Sequence, residues 1–362
     1  ATKTANIIID FFSNIDRIDD YFRLRKIERV KDLPVPIPGF GLEDDMFQNY
    51  DMHPEDMDIE VTQIDNQTFN AMLEKVASFS PDQAPGKELK LVVKEKNTNT
   101  LLGFIKLGSP IINSKPRNNY LGDVPELTIF NQRAIMGFVI VPVQPFGYNY
   151  LGGKLMALIC TSHKVREMLN DKYDTEFCLF ETTSLYGNIK GMSMYDGLKP
   201  FLRFKGDTES KFVPTLGEEA YASCKKIIED DVQDEIIHKA ASSRKLKITS
   251  KMISLIKSSL KETDMELHDK FVSAIKKAES VTTQKRFYMS DYGYENTRDV
   301  LLGKTETLIK GPNYHKHDLE NIISWWKRKA SSRYNKLKSE DRIREELEVW
   351  NADTMNKIDI IR

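Results

Sequence analysis

The chain has 362 residues, with 53 Lys or Arg against 54 Asp or Glu and a formal net charge of −1. That length suits two or three domains with a substantial core, and the near-neutral balance implies no global electrostatic partner. Three cysteines, Cys160, Cys178 and Cys224, are too few and too scattered for a disulfide framework or a zinc site. No apolar run reaches membrane-spanning length and the first residues do not form a signal-peptide pattern, so the cytosol is the expected setting, with no membrane partner. Charge is nonetheless uneven. Residues 43–60 hold eight acids and no Lys or Arg, whereas residues 316–338 hold seven Lys or Arg against two acids, an asymmetry that points to partner surfaces at the two ends.

From the N-terminus, Ile8, Phe11, Phe12, Ile15 and Ile18 recur at helical spacing. The stretch "LPVPIPGFGLEDDMF" then breaks regularity with prolines and glycines, as a linker does. From Ile59 the pattern alternates strand and helix. "DIEVTQI" reads as a strand, "QTFNAMLEKVASF" as a helix, and "ELKLVVKEK" and "LLGFIKLGSP" as a hairpin around "NTNT". "IINSKPRNNYLGDVPELTIFN" reads as an irregular insertion. "RAIMGFVIV" reads as a buried central strand, "YLGGKLMALICTSHKVREMLNDKY" as one long helix, and "TEFCLFETTSLYG" as another central strand. "FLRFKG" and "KFVPT" read as a closing pair of short strands. Beyond Leu216 the patterns are amphipathic helices, interrupted by the Tyr-rich "RFYMSDYGYENTRDVLLG", which reads as a strand or loop returning to the core. A long basic helix, from "HDLENIISWWKRK" to "ELEVW", closes the chain. The expected organisation is an N-terminal helical arm and acidic linker over 1–58, an α/β (α+β) core over 59–215, and a helical region over 216–362.

The stretch "VPVQPFGYNYLGGKL", residues 141–155, places Gly147, Gly152 and Gly153 between a strand and a helix. Two readings stand side by side. Glycines there permit a tight turn with close helix packing. Alternatively, backbone N–H groups at a glycine turn and a helix start cradle an anion, helped by the helix dipole. Glu181 sits at the expected C-terminal end of a central strand, where open α/β sheets place ligands. It is either a general base or a structural acid paired with Arg133 or Arg203. Tyr195 is either a proton donor or a packed aromatic, and Tyr186 and Ser184 flank the same cleft. His163 reads as a surface helix residue, and the six histidines lack metal-ligand spacing, so no metal is expected. On the closing helix, Lys327, Arg328, Lys329, Arg333 and Lys336 form a basic face beside Trp325, Trp326 and Tyr334. This is either a solvated face or a nucleic-acid contact, to which Arg298 and its neighbouring tyrosines would add a stacking surface.

The element order from 59 to 215, with a glycine turn after the fourth strand, resembles the GNAT acyltransferase superfamily. Its Q/R-x-x-G-x-G/A segment is matched by Gln144-Pro145-Phe146-Gly147-Tyr148-Asn149. Gly108-Ser109-Pro110, Asn131 with Arg133, Glu181-Thr182, Tyr195 and Gly197 also resemble the Druantia-A family of prokaryotic defence and phage genomes, over about residues 100–210. The resemblance implies a GNAT-like mixed sheet and an acyl-CoA cofactor such as acetyl-CoA. Val141, Val143, Gln144, Gly147, Tyr148, Asn149, Gly152 and Gly153 would bind it, and Glu181, Tyr195 and Tyr186 would be catalytic. GNAT-like phage proteins that modify DNA make nucleic acid one acceptor and a host protein another. The alternatives are a non-catalytic nucleic-acid-binding or interaction protein on the same fold, and a phage structural or host-takeover protein whose N-terminal arm meets a protein partner.

Overall fold

The computed structural model describes residues 1–33, 35, 37–81, 85–185, 191–211, 215–231, 245–281 and 284–360. Tyr186 and most of "KFVPT" lie outside the described residues. The chain divides into two compact units. One is Ala1–Leu33 with Lys211–Thr283 and Ala352–Arg362; the other is Pro34–Ser210 with Gln284–Asn351. The three consecutive blocks read from the sequence are therefore redrawn. The N-terminal arm belongs with helices some 200 residues later, and the closing helix belongs with the sheet.

The first unit is helical. The spacing that suggested one N-terminal helix yields two, α1 (Thr2–Ser13) and α2 (Ile18–Val30). They break because the Asp20 carboxylate accepts the N–H groups of Asp16 (3.2 Å) and Arg17 (2.9 Å), which caps α2 at its start. Helices α9 (Glu218–Asp231), α10 (Lys245–Thr263) and α11 (Met265–Ser280) complete the unit. α1 turns Ala5, Ile8 and Phe12 inward, and Phe271 of α11 and Met252 of α10 are buried as well. Arg25 donates to Tyr21 Oη (3.0 Å), Thr215 Oγ1 (2.7 Å) and Glu218 Oε1 (3.1 Å).

The second unit is a seven-stranded sheet flanked by helices, in the order β1-β2-β3-β4-β5-β7-β6. The strands are β1 (Ile59–Gln63), β2 (Glu88–Glu95), β3 (Thr100–Gly108), β4 (Ala134–Pro142), β5 (Leu179–Ser184), β6 (Arg203–Lys211) and β7 (Gln284–Ser290). β1 to β4 form an antiparallel meander, β4 and β5 are parallel, and β7 is antiparallel to β5. The sheet is thus α+β and mixed, mostly antiparallel. The neighbour of β6 is β7, from beyond the helical segment.

Alternation along the strands sorts the two faces. Val92, Phe104 and Val139 pack with Phe69, Met72, Leu73 and Val76 of α3 (Asn66–Val76). Leu91, Ile105 and Leu107 belong to the larger core containing α7 (Gly152–Cys160) and Trp326 of α13 (Leu319–Ser339). The supposed insertion holds two short helices, α4 (Lys115–Leu121) and α5 (Leu127–Arg133), capped by Ser114 and Glu126. The parallel β4–β5 connection needs a crossover. It is built from α6 (Phe146–Tyr150), α7 and α8 (His163–Tyr173), and the Ser162 hydroxyl caps α8. A helix α12 (Thr297–Leu301) follows β7. α13 ends at Ser339, ahead of the left-handed Asp341 (φ 53°). The tail then runs back along the fold, where Glu348 bridges to Gln144 and Trp350 N–H reaches the Lys75 carbonyl (2.7 Å).

His163 is buried, not a surface residue. Arg166 Nε donates to its Nδ1 (3.0 Å), and an arginine cannot accept, so Nδ1 carries the lone pair and Nε2–H donates to the Tyr314 carbonyl (2.7 Å). His317 donates from Nδ1 to the Thr161 carbonyl (2.7 Å), and its Nε2 has no partner among the described residues. Burial holds both imidazoles down at about 4. Unfolding restores ordinary histidines near 6.5, so the unfolded chain binds more protons between those values. This unit should therefore lose stability as pH falls from about 6.5 towards 4, by about 1.4 kcal/mol per pH unit for each histidine. Urea midpoints between pH 7 and pH 5 check this, and His317→Leu should flatten the dependence by about half.

Candidate functional site

β4 and β5 pair over four residues, from Ala134 opposite Leu179 to Gly137 opposite Thr182. There they part. β4 continues to Pro142 and β5 to Ser184 without further pairing between them. Two features fix the vertex. The β3–β4 register shifts between Lys106 and Leu107, so Phe138 is an extra residue that bends β4. Thr182 Oγ1 also donates to the Gly137 carbonyl (3.1 Å), the last paired residue of β4. Beyond the vertex Ile140, Val141 and Pro142 are half-buried and border the gap.

Three amides of "QPFGYN" are already in use. Gly147 N–H donates to the Val143 carbonyl (2.9 Å), Tyr148 N–H to Gln144 Oε1 (3.0 Å) and Asn149 N–H to the Pro145 carbonyl (2.8 Å). The expected phosphate-facing role of these three is corrected accordingly: the turn spends its donors on itself. Val143 is fully buried, with its N–H on the Leu102 carbonyl (2.8 Å). Asn149 is buried too, exchanging hydrogen bonds with the Arg344 backbone (2.8 and 3.0 Å). Phe146 points into the core, among Phe47, Tyr150 and Trp326, and does not enter the gap. Tyr148 lies among three arginines: Arg333 and Arg344 stack on its ring, at 4.6 and 3.7 Å from the centroid, and Arg342 donates to its hydroxyl (3.2 Å). Against the pull of burial, these cations hold the Tyr148 phenol below its ordinary value.

The open donors lie one step further along. Leu151, at φ 54° and ψ 42°, joins α6 to α7 in left-handed geometry, which costs a leucine energy. Among the described residues no side chain caps α7, so the first-turn N–H groups of Gly152, Gly153 and Lys154 lack a capping side-chain oxygen there. Both glycines answer to contact. A Cβ on Gly152 would sit 2.7 Å from the Phe146 ring and 2.9 Å from Gly147 Cα, whereas one on Gly153 would meet the Met194 thioether at 2.6 Å. Lys154 comes from the same turn. Its burial, and then the charge of Lys329 on α13, hold its ammonium below the ordinary lysine value. Sequence reasoning missed Lys154 because a lone lysine inside a helix pattern carries no motif.

Glu181 lies elsewhere. It is fully buried and holds Arg117 through two bonds, Nε to Oε2 (2.8 Å) and Nη2 to Oε1 (2.5 Å). Arg117 also donates to the Ile111 and Ile112 carbonyls and stacks on Phe130, 4.2 Å from the ring centroid. Burial raises the Glu181 carboxyl from its ordinary value, and Arg117 opposes that rise. With both oxygens engaged and no exposure, Glu181 is a structural acid rather than a base. Its partner is Arg117, not Arg133 or Arg203. Tyr195 is 8% exposed and meets Tyr288 edge-on at 5.3 Å. It sits in a short turn, Met194–Gly197, packed against α7. Asp196 pins that turn to β7 by accepting from Tyr288 Oη (2.6 Å), Arg286 Nη2 (3.0 Å) and Ser193 N–H (3.0 Å).

On α13, Trp326 is buried with Nε1 on the Tyr150 carbonyl (2.9 Å). Lys327 donates to the Glu55 carbonyl (3.1 Å) and Arg333 to the Tyr148 carbonyl (3.2 Å), while Lys329 lies over Trp325. Arg328 and Lys336 are exposed. The basic face is therefore partly committed to holding the helix on the sheet. A cavity of about 490 Å³ opens at the end of α4, lined by Leu121, Val124, Glu126, Leu302 and Lys304 among others, with nothing from the gap or α7. Among the described residues no group of three His, Cys, Asp or Glu could hold a metal, and no helix is long and apolar enough to cross a membrane.

The fold and site define a mixed-sheet α+β protein in which two central parallel strands part beside an uncapped helix. Residues 42–193 match the family model described as Druantia protein DruA, and over that stretch the chain is similar to this family. The match takes in β1 to β5, Arg117, Glu181 and the α7 turn, and it begins well before residue 100. No curated protein and no solved structure matches the chain.

Proposed function

We propose that this protein is a GNAT-like acyltransferase that takes its acyl group from an acyl-CoA laid in the gap between β4 and β5. The observation that carries the reading is the parting of those strands after Gly137 and Thr182, with the uncapped start of α7 following β4. An unpaired strand edge offers N–H and C=O groups to an extended, amide-bearing chain. The N–H groups of Gly152, Gly153 and Lys154, with the Lys154 and Lys329 ammoniums, suit a pyrophosphate. Val141 borders the gap. Tyr195 serves as proton donor to the leaving thiolate, since burial keeps its phenol protonated well above neutral pH. Met194, flexible and half-exposed, swings off Gly153 when the phosphates arrive.

Calorimetry with acetyl-CoA tests the reading. The wild type should bind, and Lys154→Glu should weaken binding about tenfold or more by facing the phosphates with a like charge. No heat with the wild type would overturn the cofactor and the enzyme together.

A further inference from the structure

A second cationic site lies on the opposite face of the sheet from α7. Among the described residues β6 is the last strand of the sheet. Phe204 lies against Tyr288 on one face, under the Arg286 guanidinium at 3.9 Å from the ring centroid. By strand alternation its neighbours Arg203 and Lys205 share the other face. There Lys205 Nζ sits 4.4 Å and Arg298 Cζ 4.3 Å from the centroid of Tyr120, on α4. Lys199 completes the group: with Arg203 and Arg298 it pushes the Lys205 ammonium down, after burial, while Asp291 alone pulls it up. Among the described residues no carboxylate stands within ion-pair distance of Lys199, Arg203, Lys205 or Arg298. Asp291 is half-buried and already accepts the Gly293 N–H (2.8 Å).

Two cations on one ring, with Arg203 on the same strand face and Lys199 near Lys205, repel one another, and a polyanion relieves that repulsion. The cations do not converge on a pocket. They follow β6, the last strand of the sheet, with Arg203 and Lys205 about 6.6 Å apart along it. A strip of this kind tracks a polymer backbone better than it encloses a small anion. The helices that meet here, α4 and α12, are seven and five residues long, short for a duplex groove, so the fit is to an unpaired strand. We propose that Lys205 and Arg298, held on the Tyr120 ring, bind the phosphate backbone of a single-stranded nucleic acid together with Arg203 and Lys199 beside them. The inference does not rest on the acyl-CoA reading, and it moves the nucleic-acid contact from α13 to β6 and α12.

Fluorescence anisotropy of the full chain with a labelled single-stranded DNA of about 20 nucleotides, over roughly 50 to 200 mM salt, provides the test. The double variant Arg203→Glu/Lys205→Glu should bind at least about tenfold more weakly, with its log–log salt slope reduced by about two. Arg203→Lys/Lys205→Arg should bind as the wild type does, which separates charge from misfolding. Lys327→Glu/Arg328→Glu on α13 should leave binding unchanged. The proposal is overturned if the wild type fails to bind, if the β6 double variant binds normally, or if the α13 variant carries the loss. Displacement of the DNA by a phosphopeptide of equal charge would overturn it in favour of a phosphoprotein partner.

Discussion

Replacing Arg117 by alanine should lower the stability of the sheet unit by about 3–5 kcal/mol, because it leaves the Glu181 carboxylate buried and unpaired. The substitution also orphans the Ile111 and Ile112 carbonyls and removes the cation stacked on Phe130. Glu181→Gln should cost less, since the amide oxygen still accepts from the guanidinium. Replacing both partners by apolar residues of similar volume should recover much of the loss. Urea unfolding monitored by hydrogen exchange at β5 amides isolates this unit from the helical one. The same variants separate the two roles assigned to Glu181. A base would give Glu181→Gln near-normal stability and a lost chemical step. A structural acid gives measurable destabilisation of both single variants and a strong double-mutant coupling. Near-wild-type stability of Arg117→Ala would show that the ion pair does not hold α4 to β5.

What was legible in the sequence follows from range. β1, α3 and the β2–β3 hairpin show in local alternation and in the "NTNT" turn, where Asn99 takes a left-handed φ of 52°. β4 and β5 show as apolar runs. The β7–β5 pairing, Thr182 opposite Tyr288, joins residues more than a hundred positions apart, and no local pattern encodes such a register. The two short helices before β4 were hidden by their proline, asparagine and glycine content, although Ser114 and Glu126 both cap in the ordinary way. The Arg117–Glu181 pair escaped notice because its arginine stands in that segment. The glycine turn shows the limit most clearly. Composition marks Gly147, Gly152 and Gly153 alike, but which amides remain open depends on the Gln144 side chain and the Val143 and Pro145 carbonyls, which consume the first set.

Gly153→Glu should reduce acetyl-CoA affinity by about 100-fold or more while leaving the fold at least as stable. A carboxylate in the first turn of α7 opposes the phosphates directly, and such like-charge juxtaposition costs several kcal/mol. The same carboxylate suits the positive end of the helix dipole, and glutamate favours helix over glycine by roughly 0.5 kcal/mol or more. Its Cβ displaces only the end of Met194, a flexible side chain. Gly152→Ala is the contrasting variant. Its methyl meets the Phe146 ring and Gly147 Cα, neither of which can retreat within a packed core, so a loss of about 1–3 kcal/mol of stability is expected. The pair thus asks of two adjacent glycines which is retained for packing and which for a ligand. Binding that survives Gly153→Glu would return both to the tight-turn reading and remove the α7 end as the phosphate site. Binding that fails in Gly153→Glu with an unchanged melting temperature, while Gly152→Ala melts lower, would assign the anion to Gly153 and the packing to Gly152.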